Sequence, residues 1–373
     1  MLKLNEVDNF DGVKETWDTV LESNLFGNNV FLTWAWLSTW WKHFGSNRRL
    51  LLLTVEDEDK VCAIAPLMLS KYKMPGLGSV KKVEFVGTRH SDYNNFIIAE
   101  QKEKCLNIIM DYLVNVVADW DWIELKEIPE SKNYSGNLFS NVPFNLDVQE
   151  RVYNVCPYIT LPDSFESFMK GLSCNMRQDL NKKLRRIKQN HKIDFKKFDE
   201  VGLSVNEAIN VFMEIHQKKW NSEGLSGAFH DGAFRDFHVD VAERFNDKNW
   251  LSLYFLMAND EPIAGHYSFD YAEKTYYYLS GFLPEYSVYS AGSLTIMLIL
   301  KRCIENGIKE YDLMRGAEAY KKRWTHTYRK NFEVRLVRNS LHSKFYNWIT
   351  CSSTVDNLAK KLSFSLKKDI LSN

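Results

Sequence analysis

Several signatures of common protein classes are missing from this sequence. The six cysteines (Cys62, Cys105, Cys156, Cys174, Cys303, Cys351) stand far apart with no C-x-x-C pair. That spacing argues against a zinc site or a disulfide framework and fits a reduced, cytoplasmic setting. No uncharged apolar run approaches the roughly 20 residues a membrane helix needs. The stretch Met1 to Asp8 has acids and no apolar centre, which is not the pattern of a secretory signal. Charge excess is missing too. Lys plus Arg and Asp plus Glu are 48 each, which argues against a dedicated DNA or RNA binder. There is no Gly-x-Ser-x-Gly elbow, so a serine hydrolase is disfavoured.

Apolar and aromatic residues are plentiful, at 45% and 14% of 373 residues. That length suits two domains rather than one core. The most ordered pattern runs from Leu251 to Trp324. Apolar runs at Leu251 to Ala258, Ile263 to Phe269 and Thr275 to Phe282 are separated by short polar turns and read as an antiparallel meander. Ser290-Ala291-Gly292-Ser293 then opens an apolar helix, Leu294 to Asn306, stopped by Gly307. Lys309 to Gly316 reads as one more strand, followed by the polar cluster Glu318, Tyr320, Lys321. Small residues at a helix start serve either as an ordinary cap or as a phosphate site, because free N–H groups and the positive dipole end meet there.

The first part of the chain echoes this order. Leu50 to Leu69 repeats the run–acidic turn–run pattern, with Pro66 suggesting an edge or a bulge. A helix from Gln101 to Val117 then leads to a strand at Trp122 to Ile128. We read this as an internal duplication. The first copy has Glu100-Gln101-Lys102-Glu103 at its helix start, where acids would repel a pyrophosphate. Before it, Trp34, Trp36, Trp40 and Trp41 lie on a helix and serve either core packing or stacking. Residues 130 to 160 read as a linker with a strand or two. The helix from Gly171 has an apolar stripe and a basic face (Arg177, Lys182, Lys183, Arg185, Arg186, Lys188), either solvated or a wall for an anionic partner. Glu207 to Trp220 forms a helix with His216 and Trp220 on one side. Leu341 to Ile349 and Val355 to Leu371 read as helices, the last one basic and either packed on the body or touching a membrane surface.

The segments Ile263-Ala264-Gly265, Leu279-Ser280-Gly281-Phe282, Ser290-Ala291-Gly292-Ser293 and Tyr311 to Lys321 resemble the GNAT acyltransferase superfamily. They are most similar to its cellulose-biosynthesis-type acetyltransferases, relatives of the Fem peptidoglycan aminoacyltransferases. The resemblance implies an α/β fold with mixed sheets: two tandem GNAT-like domains, each a mostly antiparallel central sheet flanked by helices. Residues 1–155 would form an N-terminal domain without cofactor, 156–340 the acyltransferase domain, and 341–373 a helical tail.

It also implies acetyl-CoA or another acyl-CoA as co-substrate, with no metal. Leu279, Ser280, Gly281, Ser290, Ala291, Gly292 and Ser293 would hold it. Glu318, then His266, then Asp312 are the candidate catalytic bases. Asp312 is expected to alternate inward or to pair with Arg315. Asp92, Tyr93, His216, Trp220, Arg315, Tyr320 and Lys321 are the candidates for binding the acceptor; the loop His90-Ser91-Asp92-Tyr93 resembles a family motif that faces the acceptor groove, and as plain chemistry it reads as a turn. The family often places an acid directly after the glycine of the last block; here Ala317 stands there and Glu318 follows. The acceptor expected from the resemblance is a sugar or cell-envelope precursor, a small molecule or saccharide. The alternatives are Fem-like aminoacyl transfer from tRNA and a non-catalytic place in a polysaccharide-assembly complex.

Overall fold

The computed structural model describes residues 1–74, 78–117, 119–139 and 146–338. The expected helices after Leu341 lie outside them. The first part of the chain contains β1 (Leu2–Val7), α1 (Lys14–Glu22), α2 (Trp34–Phe44), β2 (Arg48–Asp57), β3 (Lys60–Met74), β4 (Gly78–Phe85), β5 (Ile97–Ile98), α3 (Lys102–Asp111) and β6 (Trp122–Pro129). The middle contains β7 (Leu146–Thr160), α4 (Phe165–Gly171), α5 (Cys174–Asn190), β8 (Ile193–Lys197), α6 (Val205–Ser222) and α7 (Gly232–Asp247). The last part contains β9 (Leu251–Ala258), β10 (Glu261–Tyr271), β11 (Lys274–Phe282), α8 (Ala291–Glu305), β12 (Glu310–Asp312) and β13 (Tyr328–Arg338).

All strands join one mixed sheet in the order β1-β2-β3-β4-β6-β13-β7-β12-β11-β10-β9-β8, with β5 paired to β3. The duplication is visible in its pairing. β4 and β6 are parallel across α3, and β11 and β12 are parallel across α8. The remaining pairs are antiparallel. The two halves exchange their last strands. β7 follows β6 in sequence but pairs β12, while β13 follows β12 but pairs β6. β7 and β13 then run antiparallel from Tyr328↔Pro157 to Arg338↔Leu146.

The expected boundary at 155/156 therefore falls inside β7. The segment expected as a linker with a strand or two carries one 15-residue strand of the central sheet. Its signal was weak because its long partner, β13, lies far away in sequence and β7 does not alternate cleanly between apolar and polar. Pro66 sits inside the sheet, where β3 changes partners from β5 (Ile64↔Ile97) to β4 (Leu67↔Phe85). An imino nitrogen is tolerated there because no ladder bond is required of it.

The tryptophan helix is core. Trp36 is fully buried, donates its indole N–H to Ser91 Oγ at 2.8 Å, and packs edge-on against Phe237 and Phe269. This N-terminal helix thus welds the first half to α7 and β10 of the second. No described helix is long and apolar enough to cross a membrane.

Burial of Trp36 yields a direct test. Trp36→Ala removes a large side chain that cannot be replaced by collapse, and is expected to cost about 3–5 kcal/mol, read from the denaturant midpoint at unchanged m-value.

Candidate active site

The site arises where two parallel strands part. β11 and β12 pair only over Lys274↔Glu310, Thr275↔Tyr311 and Tyr276↔Asp312. The expected strand to Gly316 ends at Asp312, because Asp312 is tied on three sides. It accepts from Tyr93 Oη at 2.7 Å, from Arg329 Nη1 at 2.7 Å and from its own chain at Met314 N at 2.8 Å. Met314 then takes φ +62°. The chain leans toward β7, with Leu313 N donating to Pro157 O and Gly316 N to Val155 O. From Tyr277 to Phe282 the β12-facing edge of β11 has no strand partner, so alternate N–H and C=O groups face the gap.

That gap is the floor of a cleft of about 650 Å³. Tyr277, Tyr278, Leu279, Ser280 and Phe282 line one side; Leu313, Met314, Arg315, Glu318, Tyr320 and Lys321 line the other. At one end the cleft meets the start of α8 through Ser287, Ser290, Gly292 and Ser293. Ser290 adopts φ 53°, ψ 49° and makes no side-chain cap bond. Its carbonyl accepts from Ser293 N and Leu294 N. Among the described residues no protein acceptor serves the first helical N–H groups, at Ala291 and Gly292. The helix also begins three residues before the expected Leu294. The ordinary-cap reading of the serine therefore gives way to an open, positively polarised helix end. A Cβ on Gly292 would stand 3.3 Å from the Phe282 ring, a tight but minor contact. Lys219 lies beside this end, its ammonium 3.8 Å from the Trp220 ring centre and 5.8 Å from that of Phe282.

Glu318 lines the cleft with its carboxylate half exposed. It folds back over Gly316 (φ +117°), where any Cβ would collide with the carboxylate oxygens. Its Oε2 is 3.0 Å from Lys321 Nζ. Lys321 is otherwise buried, donating to Arg315 O at 2.7 Å and Met314 O at 3.3 Å, so it holds the loop in place. Burial above all raises the hydroxyl pKa values of Tyr277 and Tyr320, so both stay protonated, and Tyr277 Oη is hydrogen-bonded to Ser280 Oγ.

Several expected roles change in the fold. His266 is fully buried and does not line the cleft. It donates through Nδ1 to Ser268 Oγ (3.1 Å), whose own proton goes to Ser252 O. Its Nε2 accepts from Tyr311 Oη at 2.6 Å. Burial holds its pKa at about 3, so it is a neutral member of the sheet interior rather than a base. Asp312 is likewise sealed, and it pairs with Arg329 rather than Arg315. Tyr93 points behind the cleft to Asp312.

Arg315 lines the cleft but is already neutralised, by Asp92 (Nε–Oδ1 3.0 Å) and Glu127 (Nη1–Oε1 2.9 Å). Burial alone would lower its pKa, and the two carboxylates more than reverse that. Asp92 is spent in the same lock. Gly281 serves packing: a Cβ there would lie 2.6 Å from His216 Cα, so α6 can cross β11 closely only over a glycine. Ala291 is buried in the core. His216 and Trp220 do reach the cleft. Trp220 Nε1 donates to His216 Nε2 at 2.8 Å, and burial first, Lys219 second, hold that imidazole's pKa at about 4. Lys219, Arg89, Phe234 and Tyr278 line the cleft without having been singled out from sequence; adjacency to Trp220 was the available signal for Lys219. His90, from the loop that the resemblance sets facing the acceptor groove, lines the cleft as well.

Residues 175–322 match the acetyltransferase (GNAT) domain family. No curated protein matches the sequence. Among solved structures the chain is similar to FemX, at 12% identity and TM-score 0.63, covering 93% of this chain and 99% of that one. It is also similar to L-PGS from Bacillus licheniformis, at 9% identity and TM-score 0.54, covering 95% and 99%. A tandem GNAT protein from the clavulanic acid biosynthesis pathway aligns at 8% identity and TM-score 0.51, covering 91% and 100%. At these identities the likeness establishes a fold, a tandem GNAT/Fem-like mixed α/β architecture.

Two predictions follow from the geometry. Gly281→Ala forces α6 off β11 and is expected to lower stability by about 1–3 kcal/mol, measured by denaturant unfolding. The histidines give a pH dependence. His90 and His216 are held at about 4 and His266 at about 3, against an unfolded value near 6.5. The unfolded chain therefore binds more protons below pH 6.5. Stability should be fully present above that pH and fall as pH drops toward 4, by up to about 1.4 kcal/mol per pH unit for each histidine. Melting temperature against pH checks this, and His266→Gln should flatten the slope.

Proposed function

We propose that the protein transfers an acyl group from acyl-CoA to an amine or hydroxyl bound in the same cleft. One observation carries this reading: the open edge of β11 runs directly into the uncapped start of α8 within one cavity. The residues there fit a pyrophosphate. They offer two unclaimed N–H groups on a helix N-terminus, the hydroxyls of Ser287, Ser290 and Ser293, and the Lys219 ammonium. When bound, the thioester supplies the activated carbonyl. The open N–H groups of β11 are placed to stabilise charge that develops on its oxygen. Glu318, half exposed over the gap, takes the acceptor's proton as the new bond to the carbonyl forms; the C–S bond breaks and CoA leaves as its thiolate, which takes a proton from solvent or from the Glu318 carboxyl. The carboxylate reaches the cleft although position 317 is alanine. The hydroxyls of Tyr277 and Tyr320 stay protonated beside it. By the resemblance of its sequence, the acceptor is a sugar or cell-envelope precursor.

A second reading, aminoacyl transfer from tRNA, draws support from α5. Its basic face is exposed at Lys182, Arg185, Arg186 and Lys188, and Arg186 lies over the Tyr289 ring at 5.5 Å, next to the α8 end of the cleft. The two readings separate by ligand.

Acetyl-CoA is expected to raise the melting temperature of the wild type, because it binds the native state. Gly292→Glu, which places a carboxylate at the helix start, should abolish that rise. A rise with tRNA that vanishes at high salt, and none with acetyl-CoA, would select the second reading. Glu318→Gln should keep the acetyl-CoA rise while lowering kcat about 100-fold or more.

A further inference from the structure

Acyl transfer uses the serine-rich end and the middle of the cleft. It leaves the opposite end, walled by Arg89, His90, Phe234 and Tyr278, without a ligand. Its two polar residues, Arg89 and His90, come from the N-terminal half. Trp40 donates its indole N–H to His90 Nδ1 at 2.8 Å. An indole N–H only donates, so the His90 proton sits on Nε2. Among the described residues that N–H has no protein partner, and it stays accessible at the cleft wall. The loop is clamped by the other half: Tyr278 Oη donates to His90 O at 2.9 Å, and Arg315 Nη2 donates to Arg89 O at 2.7 Å. Arg89 itself takes φ +82°, a conformation a non-glycine residue holds only under constraint.

The cations of the cleft differ in what they are free to do. Arg315 is matched by Asp92 and Glu127. Lys321 is matched by Glu318 and two carbonyls. Lys219 rests on Trp220 with Glu223 at 3.8 Å. Arg89 is exposed and has no carboxylate partner among the described residues.

We propose that Arg89 and His90 form an anion subsite for a carboxylate or phosphate carried by the acceptor. The acceptor is then an anionic molecule recognised by the N-terminal half. This rests on the acyl-transfer reading, which assigns the other end of the cleft. A guanidinium fork suits either anion, and His90 Nε2–H adds a second donor. Phe234 and Tyr278 cover the apolar part of such a molecule. The same positive field disfavours an ammonium and keeps an acceptor amine in its nucleophilic, uncharged form.

The test is calorimetric titration of inorganic phosphate, and separately of acetate, into protein saturated with CoA so that the α8 end is filled. Saturable binding of one anion to the wild type is expected, and the tighter of the two identifies the group. Arg89→Gln should weaken it about tenfold or more, as loss of a charge-assisted hydrogen bond does. His90→Leu should weaken it as well, and His90→Gln, which retains an N–H donor, should restore most of the affinity. The CoA-induced rise in melting temperature should persist in all three variants. Absence of saturable binding by either anion, or an unchanged affinity in Arg89→Gln, would overturn the subsite. If CoA itself fails to bind, the acyl-CoA reading falls, and the same titration on the unliganded protein still decides the subsite.

Discussion

The parting of β11 from β12 after three paired residues is the constraint on which the site depends. Strands that pair fully bury their backbone groups; strands that diverge leave a row of donors and acceptors that water or a ligand must satisfy. Divergence here is imposed by Asp312. Its buried carboxylate is tied to Tyr93, Arg329 and Met314 N, which turns the chain toward β7 at the point where the gap opens. Two of those partners come from elsewhere, one from the N-terminal half and one from the exchanged strand β13. The wedge is therefore a property of the whole assembly rather than of the second repeat.

Exchange of β7 and β13 between the halves explains why the two cannot move apart freely, and why a buried polar seam runs between them. Arg315 is shared by Asp92 and Glu127, and Asn331 of β13 donates to Glu127 Oε2 at 2.9 Å and to Asp92 O at 2.7 Å. Breaking one partner of such a network leaves an uncompensated charge, so the lock specifies one arrangement more than it adds stability. The first repeat has the same left-handed entry to its helix, Gln101 at φ 50°, ψ 42°, as Ser290 in the second. It differs in chemistry: Glu100 and Glu103 flank that helix start, and Glu100 pairs with Lys60 at 3.1 Å. The repeat retained its geometry, and only the second copy has small, uncharged residues at the helix start that would admit an anion.

Local pattern made part of this legible. The meander from Leu251 to Phe282, the apolar body of α8 and the duplication are written in short-range periodicity, and the structure follows them. What depends on distant partners was not legible. The end of β12 at Asp312, the length of β7 and the neutralisation of Arg315 are set by residues up to 223 positions away. His266 and Asp312 drew attention as titratable groups on strands, but period-2 alternation alone does not show that both of their environments are closed. Lys219 was overlooked beside Trp220, because which neighbour reaches a cleft depends on how α6 is rotated in the fold.

The central claim is that the uncapped start of α8 and the open edge of β11 together receive acyl-CoA. Amide hydrogen exchange with and without acetyl-CoA tests it most directly. The account predicts that Ala291, Gly292 and the cleft-facing amides between Tyr277 and Phe282 become protected, while the equivalent amides at Lys102 and Glu103 of the first repeat do not change. Protection at Lys102 and Glu103 instead, or none at Ala291 and Gly292 under saturating acetyl-CoA, would contradict it.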